Sequence, residues 1–381
     1  MDLVIHDLPP EKWARLASDY AGWTVVSEDG PVRPCIGCFG CWNRTPGVCV
    51  QKDGYENMGE LVHRAGEVHV ISRYTYGGFS GFVKGVFDRS LGYVLPHFEV
   101  VQGETHHKKR YEEDKPFTFF FYGPALTAAE KESARRYVRA VCANFRARVE
   151  AVEFREEAEE TASAREALPV TIGWTVLLVG SMRGSRSNSG KLAKELVKRL
   201  ATEPEVLSVW DYIKDPDGVV SALETAETLI FALPLYVDGL PAQGIRLMER
   251  LERDGCSGGK RVYVLANMGL YESRQLRHLF EAVRQWCEKL SFVYGGGLGV
   301  SAGELAGALM EHIPFERGVT GSMAKGMDRL AEAINGKRTT EDIFAQPRAF
   351  PRALYIAIAN AGWKKMAKAN GLPPAELYRR L

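Results

Sequence analysis

Short apolar runs alternate along this chain with longer stretches in which apolar residues recur every three or four positions. Leu3 to Ile5 reads as a strand and Glu11 to Ser18 as a short helix. The stretch "GELVHRAGEVHVISRYTYGGFSGFVKGVFDRSLGYV" (59–94) reads as helix, strand, loop and helix. A strand signal, "FTFFFYG" (117–123), then precedes the helix "AAEKESARRYVRAVCANF". The second half repeats the plan. "TVLLVGS" (175–181) and "LSVWDYI" (207–213) read as strands on either side of the helix "GKLAKELVKRLA". "ETAETLIFALPLYVDGLPAQGIRLMERL" (224–251) is again helix end, strand, loop and helix, and "RVYVLANMG" (261–269) is a strand. Such alternation predicts parallel sheets built from strand–helix–strand units.

Two segments can be laid over each other, "AGEVHVISRYTYGGFSGFVKGVFDR" and "AETLIFALPLYVDGLPAQGIRLMER". Both open on an Ala and a Glu and run through an apolar strand, a Tyr, a glycine-bearing loop and an amphipathic helix ending in Arg. The pattern predicts a tandem duplication, with domains over 1–153 and 170–300. The charged segment "FREEAEETASAREALP" (154–169) between them reads as a linker. Beyond about residue 300 strand signals fade, so 301–381 is expected to be a helical C-terminal extension packed on the body of the protein.

Composition narrows the classes. The 381 residues carry 49 basic against 48 acidic side chains, a net charge of +1 that gives no electrostatic reason for a nucleic-acid partner. The basic "HHKKRY" (106–111) is followed directly by "EED", so it reads as a solvated face. No apolar stretch approaches the roughly 18–20 residues of a membrane span. The N-terminus lacks the pattern of a signal peptide, and a cytoplasmic location with no membrane partner is expected. Of seven cysteines, four crowd into residues 35–49, which in a reducing compartment points to metal or redox chemistry.

The most informative loop is "GSMRGSRSNSGK" (180–191), directly after a strand. It fits neither G-x-x-x-x-G-K-[ST] nor G-x-G-x-x-G. What remains is a loop of hydroxyls and amides running into a helix. Such a loop suits a phosphate monoester, whose acceptors need many donors and no metal. An ordinary Gly/Ser turn is the alternative.

That loop, followed some 45 residues on by "ALPLYVDGLPAQ", resembles the NAD(P)H-dependent FMN reductase family of flavodoxin-like proteins. The resemblance implies an α/β fold of two tandem flavodoxin-like doubly wound parallel sheets, with FMN as cofactor and NAD(P)H as co-substrate. It implies that Ser181, Arg183, Ser187, Asn188 and Ser189 hold the FMN phosphate. Pro234, Leu235, Tyr236, Val237, Asp238 and Gly239 would then lie along the flavin ring. Asn267, Met268, Gly269 and Tyr271, in the loop after the next strand, either complete the ring pocket or are structural.

The first half resembles the same family through "RYTYGGFSGFVKGVFDR" (73–89), but departs from it where a phosphate loop should be. "HDLPPEKWARL" puts prolines and acids there, and Asp7 and Glu11 would repel a dianion. The first half is therefore expected not to bind the phosphate. Family members form dimers with flavin sites near the partner, so an intramolecular pseudo-dimer is implied. Tyr74, Tyr76 and Phe79 would then approach the flavin or serve as loop packing. A homodimer of the whole chain stays open.

The cysteines lie in "PCIGCFGCWNRTPGVCV" as Cys35-x2-Cys38-x2-Cys41-x7-Cys49. This resembles the compact motif of iron–sulfur flavoproteins, which implies a [4Fe–4S] cluster; zinc, or plain or redox-active thiols, are the alternatives. Cys142, Cys256 and Cys287 are expected to be structural. The activity implied is hydride transfer from NAD(P)H through FMN to a quinone, flavin, nitro or azo acceptor. An electron carrier working between protein partners is the alternative.

Overall fold

The computed structural model describes residues 1–30, 32–157, 170–256, 258–347 and 349–381. The chain divides into two compact units, Met1–Glu160 with Ala353–Leu381 and Thr161–Arg352. In chain order the first unit contains β1 (Leu3–His6), α1 (Pro10–Leu16), β2 (Thr24–Val26), α2 (Gly40–Asn43) and α3 (Met58–Arg64). Then come β3 (Val68–Arg73), α4 (Gly81–Arg89), β4 (Val94–Val101), β5 (Glu104–Lys109), β6 (Pro116–Gly123), α5 (Ala128–Phe145) and β7 (Arg148–Glu156). Five strands pair in parallel in the order β2-β1-β3-β6-β7, and β4 with β5 forms a separate antiparallel hairpin.

The second unit begins with β8 (Thr171–Val179), α6 (Asn188–Val197), β9 (Glu205–Ser208), α7 (Val209–Lys214), α8 (Pro216–Thr225) and β10 (Ala226–Pro234). It continues with α9 (Ala242–Arg253), β11 (Arg261–Asn267), α10 (Arg277–Lys289), β12 (Val293–Val300), α11 (Gly303–Leu309), α12 (Gly321–Asn335) and β13 (Ile343–Ala345). Its parallel sheet runs β13-β12-β11-β10-β8-β9. Numbered within each unit, both sheets follow the order 2-1-3-4-5 of the flavodoxin-like doubly wound fold, the second with a sixth strand at its edge. A helix, α13 (Arg352–Ala369), and a short 3₁₀ turn at Pro374–Tyr378 follow among the described residues.

Local chemistry explains these elements. β10 is a nearly unbroken apolar run because a doubly wound sheet is covered on both faces, and Leu229 to Leu233 are fully buried. Between sheet and helices, Leu177, Ile230, Tyr263, Leu298, Met327 and Leu330 form one core cluster. Thr127 and Glu130 close a reciprocal capping box on α5.

Four expectations change. The run 207–213 is not one strand: Ser208 and Asp211 form a capping box that ends β9 and starts α7. Residues 154–156, expected in the linker, complete β7, and 158–169 lie outside the described residues. Residues 301–352, expected in the helical extension, are built into the second unit, where β13 pairs with β12 from Leu298↔Ile343 onward. Finally, "HHKKRY" is no solvated face. His106 and Arg110 are buried, and the left-handed pair Gln102 and Gly103 turns β5 back along β4. No helix among the described residues is long and apolar enough to cross a membrane.

Candidate functional site

In the second sheet β9 lies on one side of β8 and β10 on the other, so the crevice beyond the carboxyl ends of β8 and β10 is the topological switch point. Val179 pairs with Ala232, and Pro234 with Asn267, which pairs with Val300, so these strands finish together. The loops after β8, β10 and β11, which carry every candidate residue of the second half, therefore open on one edge.

The loop after β8 is fastened to the start of α6. Ser187 is the N-cap: its Oγ accepts from the Gly190 amide at 2.9 Å and donates to the Gly184 carbonyl at 2.6 Å. The Arg183 amide donates to Ser181 Oγ at 3.3 Å. A Cβ at Gly190 would sit 2.7 Å from both Gly184 O and Ser185 Cα, so only glycine lets the loop close on the helix. The next two amides of α6, those of Asn188 and Ser189, precede any intrahelical acceptor. Arg183, Ser185 and Arg186 are exposed around them. The Ser187 hydroxyl hydrogen is already given away, so this residue shapes the loop. Ser189 Oγ donates to Asn267 Oδ1 at 2.5 Å, which ties the β8 loop to the end of β11.

The other two loops interlock. The Leu235 amide donates to the Asn267 carbonyl at 2.8 Å. Tyr236 and Gly239 exchange backbone hydrogen bonds of 3.1 and 3.0 Å across a tight turn. Its central residues, Val237 (φ 39°) and Asp238 (φ 58°), are both left-handed, the geometry of a type I′ turn. A β-branched residue there is strained, a feature that clusters at functional sites. Leu235 and Tyr236 are half-buried, while Pro234, Val237, Asp238 and Gly239 are buried. Asn267 and Met268 are buried and Gly269 is half-buried, with the Met268 carbonyl accepting from the Gly303 amide at 2.8 Å. Tyr271 is buried, and its hydroxyl donates to the Phe350 carbonyl at 2.7 Å.

Sequence reasoning missed two supports of this edge. Trp210 of α7 donates from Nε1 to the Met182 carbonyl at 2.6 Å, bracing the β8 loop; reading 207–213 as a strand hid it. Lys191 reaches the Gly307 carbonyl at 3.0 Å and Glu311 at 2.5 Å, and a Cβ at Gly307 would overlap the Asn188 side chain. The glycines of "GELAG" were the available signal.

The first sheet has its own switch point between β1 and β3, chemically reversed. Both Asp7 carboxylate oxygens accept from the Arg73 amide, at 3.0 and 3.1 Å, and burial pushes the Asp7 pKa up to about 6. Pro9 and Pro10 remove two amide donors where a phosphate loop would need them. Phe79 belongs to this unit's core, stacked on Phe87 at 4.8 Å, and the Tyr74 hydroxyl donates to the Glu130 carbonyl at 3.4 Å. Tyr76 is buried in the matching turn.

Also in the first unit, Cys35, Cys38, Cys41 and Cys49 are brought together. Burial, with the other three thiols adding, drives the Cys41 pKa well up, and burial takes Cys35 to about 12. Left-handed Gly37 (φ 61°) and Phe39 (φ 58°) alternate with the cysteines, the kind of winding that turns amides inward. The Gly40 amide donates to Cys38 Sγ at 3.4 Å and Arg89 Nε to Cys49 Sγ at 3.1 Å. Arg89, fully buried, spends its other donors on Asp53 (2.8 Å twice) and on the carbonyls of Arg33 and Gln51. It thereby closes both ends of the cysteine loop. Among the described residues no group of three or more His, Cys, Asp or Glu side chains has the arrangement to hold a single metal ion. Cys142, Cys256 and Cys287 are buried in helical or adjoining segments.

No family model and no curated protein matches the chain. Solved structures similar to it include the Trp repressor binding protein from Bacillus subtilis, at 18% identity over 33% of this chain and 83% of that one, with a TM-score of 0.29. An azoreductase from Bacillus anthracis str. Sterne is 14% identical over 43% of this chain and 99% of that one, at a TM-score of 0.31. The Flv1 flavodiiron core from Synechocystis sp. PCC6803 is 11% identical over 87% of each chain, at 0.30. Scores this low carry no argument; the fold rests on strand order.

Proposed function

We propose that the second unit binds FMN at the β8–β10 switch point. On this reading the chain is a flavin-dependent oxidoreductase, taking hydride from NAD(P)H and passing electrons to a small-molecule acceptor such as a quinone, flavin, nitro or azo compound. The observation that carries the reading is the glycine-tightened β8 loop. It leaves the Asn188 and Ser189 amides at a helix start, beside exposed Arg183 and Arg186, at the sheet position where such folds take ligands. Bound FMN supplies the redox chemistry, accepting a hydride and releasing electrons. The protein's part is binding and orientation. Ser187 sets the loop, the Ser189–Asn267 bond fixes it against the β11 loop, and half-buried Tyr236 offers an aromatic face. In the first unit, four gathered thiols with amide and guanidinium donors suit a [4Fe–4S] cluster, a one-electron centre when bound.

Titration of flavin-free protein with FMN and with riboflavin tests the phosphate site. FMN is expected to bind at one per chain and at least about a hundredfold more tightly than riboflavin, roughly the worth of one or two charge-assisted hydrogen bonds. Equal affinity for the two, or no binding, overturns the reading. Anaerobic bleaching of the bound flavin by NADH or NADPH then checks the hydride donor.

A further inference from the structure

Between Cys38 and Cys49 the loop is wound tightly around Phe39, an aromatic residue held in the left-handed region at φ 58°. Such a conformation costs energy and persists only where the surroundings over-determine it. Phe39 stacks on Trp42, with ring centroids 5.6 Å apart and 12° between the planes. Trp363, from the middle of α13, then meets both rings nearly at right angles, at 5.3 Å from Phe39 and 5.4 Å from Trp42. Trp363 and Trp42 are both buried.

The same C-terminal segment grips the loop again further on. Asn43 Nδ2 lies 2.9 Å from Met366 Sδ, and Arg44 Nε donates to Asn370 Oδ1 at 3.2 Å. A Cβ on Gly47 would lie 2.6 Å from the Leu381 side chain. The segment is itself anchored. Buried Arg110, whose charge bears on Cys41, donates to the carbonyls of Leu377 and Arg379 at 3.0 and 2.6 Å. Asn360 exchanges hydrogen bonds with the Phe98 backbone at 2.7 and 3.1 Å.

We propose that Trp363 is a positioning residue of the cysteine site, and that the segment Ala353–Leu381 is the strap that holds Cys38 and Cys41 facing Cys35 and Cys49. Arg89 closes the loop at its ends, and Trp363 fixes the winding between them. The inference depends on the gathering of four thiols and not on what they hold. It applies to a cluster site and to a set of redox thiols alike.

The test is native-state alkylation of the reduced, metal-free full chain with iodoacetamide, followed for each cysteine by peptide mass spectrometry. Buried Cys142 and Cys287 report on the two cores. Trp363→Ala is expected to speed labelling of Cys38 and Cys41 about tenfold or more, the effect of a local opening eased by 1.4 kcal/mol, with Cys142 and Cys287 unchanged. Trp363→Phe keeps an aromatic edge and should stay near the wild-type rates. Asn360→Ala, a milder loosening of the strap away from the loop, should give an intermediate increase. Wild-type labelling of Cys38 and Cys41 in Trp363→Ala overturns the proposal. A uniform rise at all the cysteines in that variant also overturns it, because it would mark a general structural role.

Discussion

The two switch points share one loop and differ in the other. After the central strand both units make the same turn. Thr75 to Gly78 has left-handed Tyr76 and Gly77, and Tyr236 to Gly239 has left-handed Val237 and Asp238. After the first strand they part. The second unit presents a loop of donors closed by Gly190, whereas the first presents an acceptor, Asp7, that consumes the Arg73 amide from within. The turn is set by backbone pairing and survives very different side chains. An anion site depends on a few donors, and one internal carboxylate with two prolines is enough to reverse it.

Acid gives the largest test of this contrast. Burial lowers the pKa of His6, His97 and His107 in the first unit to about 4. The unfolded chain then binds more protons below pH 6.5, so each histidine contributes stability that is lost as pH falls from 6.5 through 4. That loss is on the order of 3 kcal/mol apiece. Urea midpoints measured from pH 7 to 4 should fall steeply, and His97→Gln should make the fall shallower. Asp7 works in the opposite sense. Its raised pKa means stability present below pH 4 and lost as pH rises through 6, again up to about 3 kcal/mol. Asp7→Asn should remove that decline while leaving FMN affinity within about twofold, one hydrogen bond's worth at most. A large change in flavin binding in this variant would break the comparison.

Gly190→Val drives a side chain into Gly184 and Ser185. It should weaken FMN binding by about two orders of magnitude in a fluorescence titration, at a stability cost of roughly 1–3 kcal/mol. Ser187→Ala is the smallest of the four. Loss of the cap should lower the second unit's stability by about 1 kcal/mol in thermal unfolding and loosen FMN several-fold.

Both sheets were legible in the sequence because buried parallel strands such as β10 are long apolar runs, and α5 carries its capping box in plain view. The β8 loop was legible as a donor-rich interruption. What escaped notice depended on distant partners. β13 is three residues long, too short to show a period, and becomes a strand only by pairing with β12. Two of the carbonyls that satisfy buried Arg110 lie more than 260 residues away along the chain. Trp363 reads as one apolar position of a tail helix, and nothing near it in sequence says that it belongs beside the cysteines. The sequence offers Ser187 as one hydroxyl among several in the β8 loop, and only the geometry shows that hydroxyl on the Gly184 carbonyl.

The first unit is assembled from two stretches of chain that lie on either side of the second in sequence, and this dictates an order of assembly. A ribosome delivers residues 1–157 before the second unit, but Arg110 and Gly47 must wait for Leu377 to Leu381, which are translated after it. The second unit, drawn from one contiguous stretch, can therefore mature before the unit that precedes it. A bulkier side chain at position 381 would press on Gly47, where that delayed closure finishes.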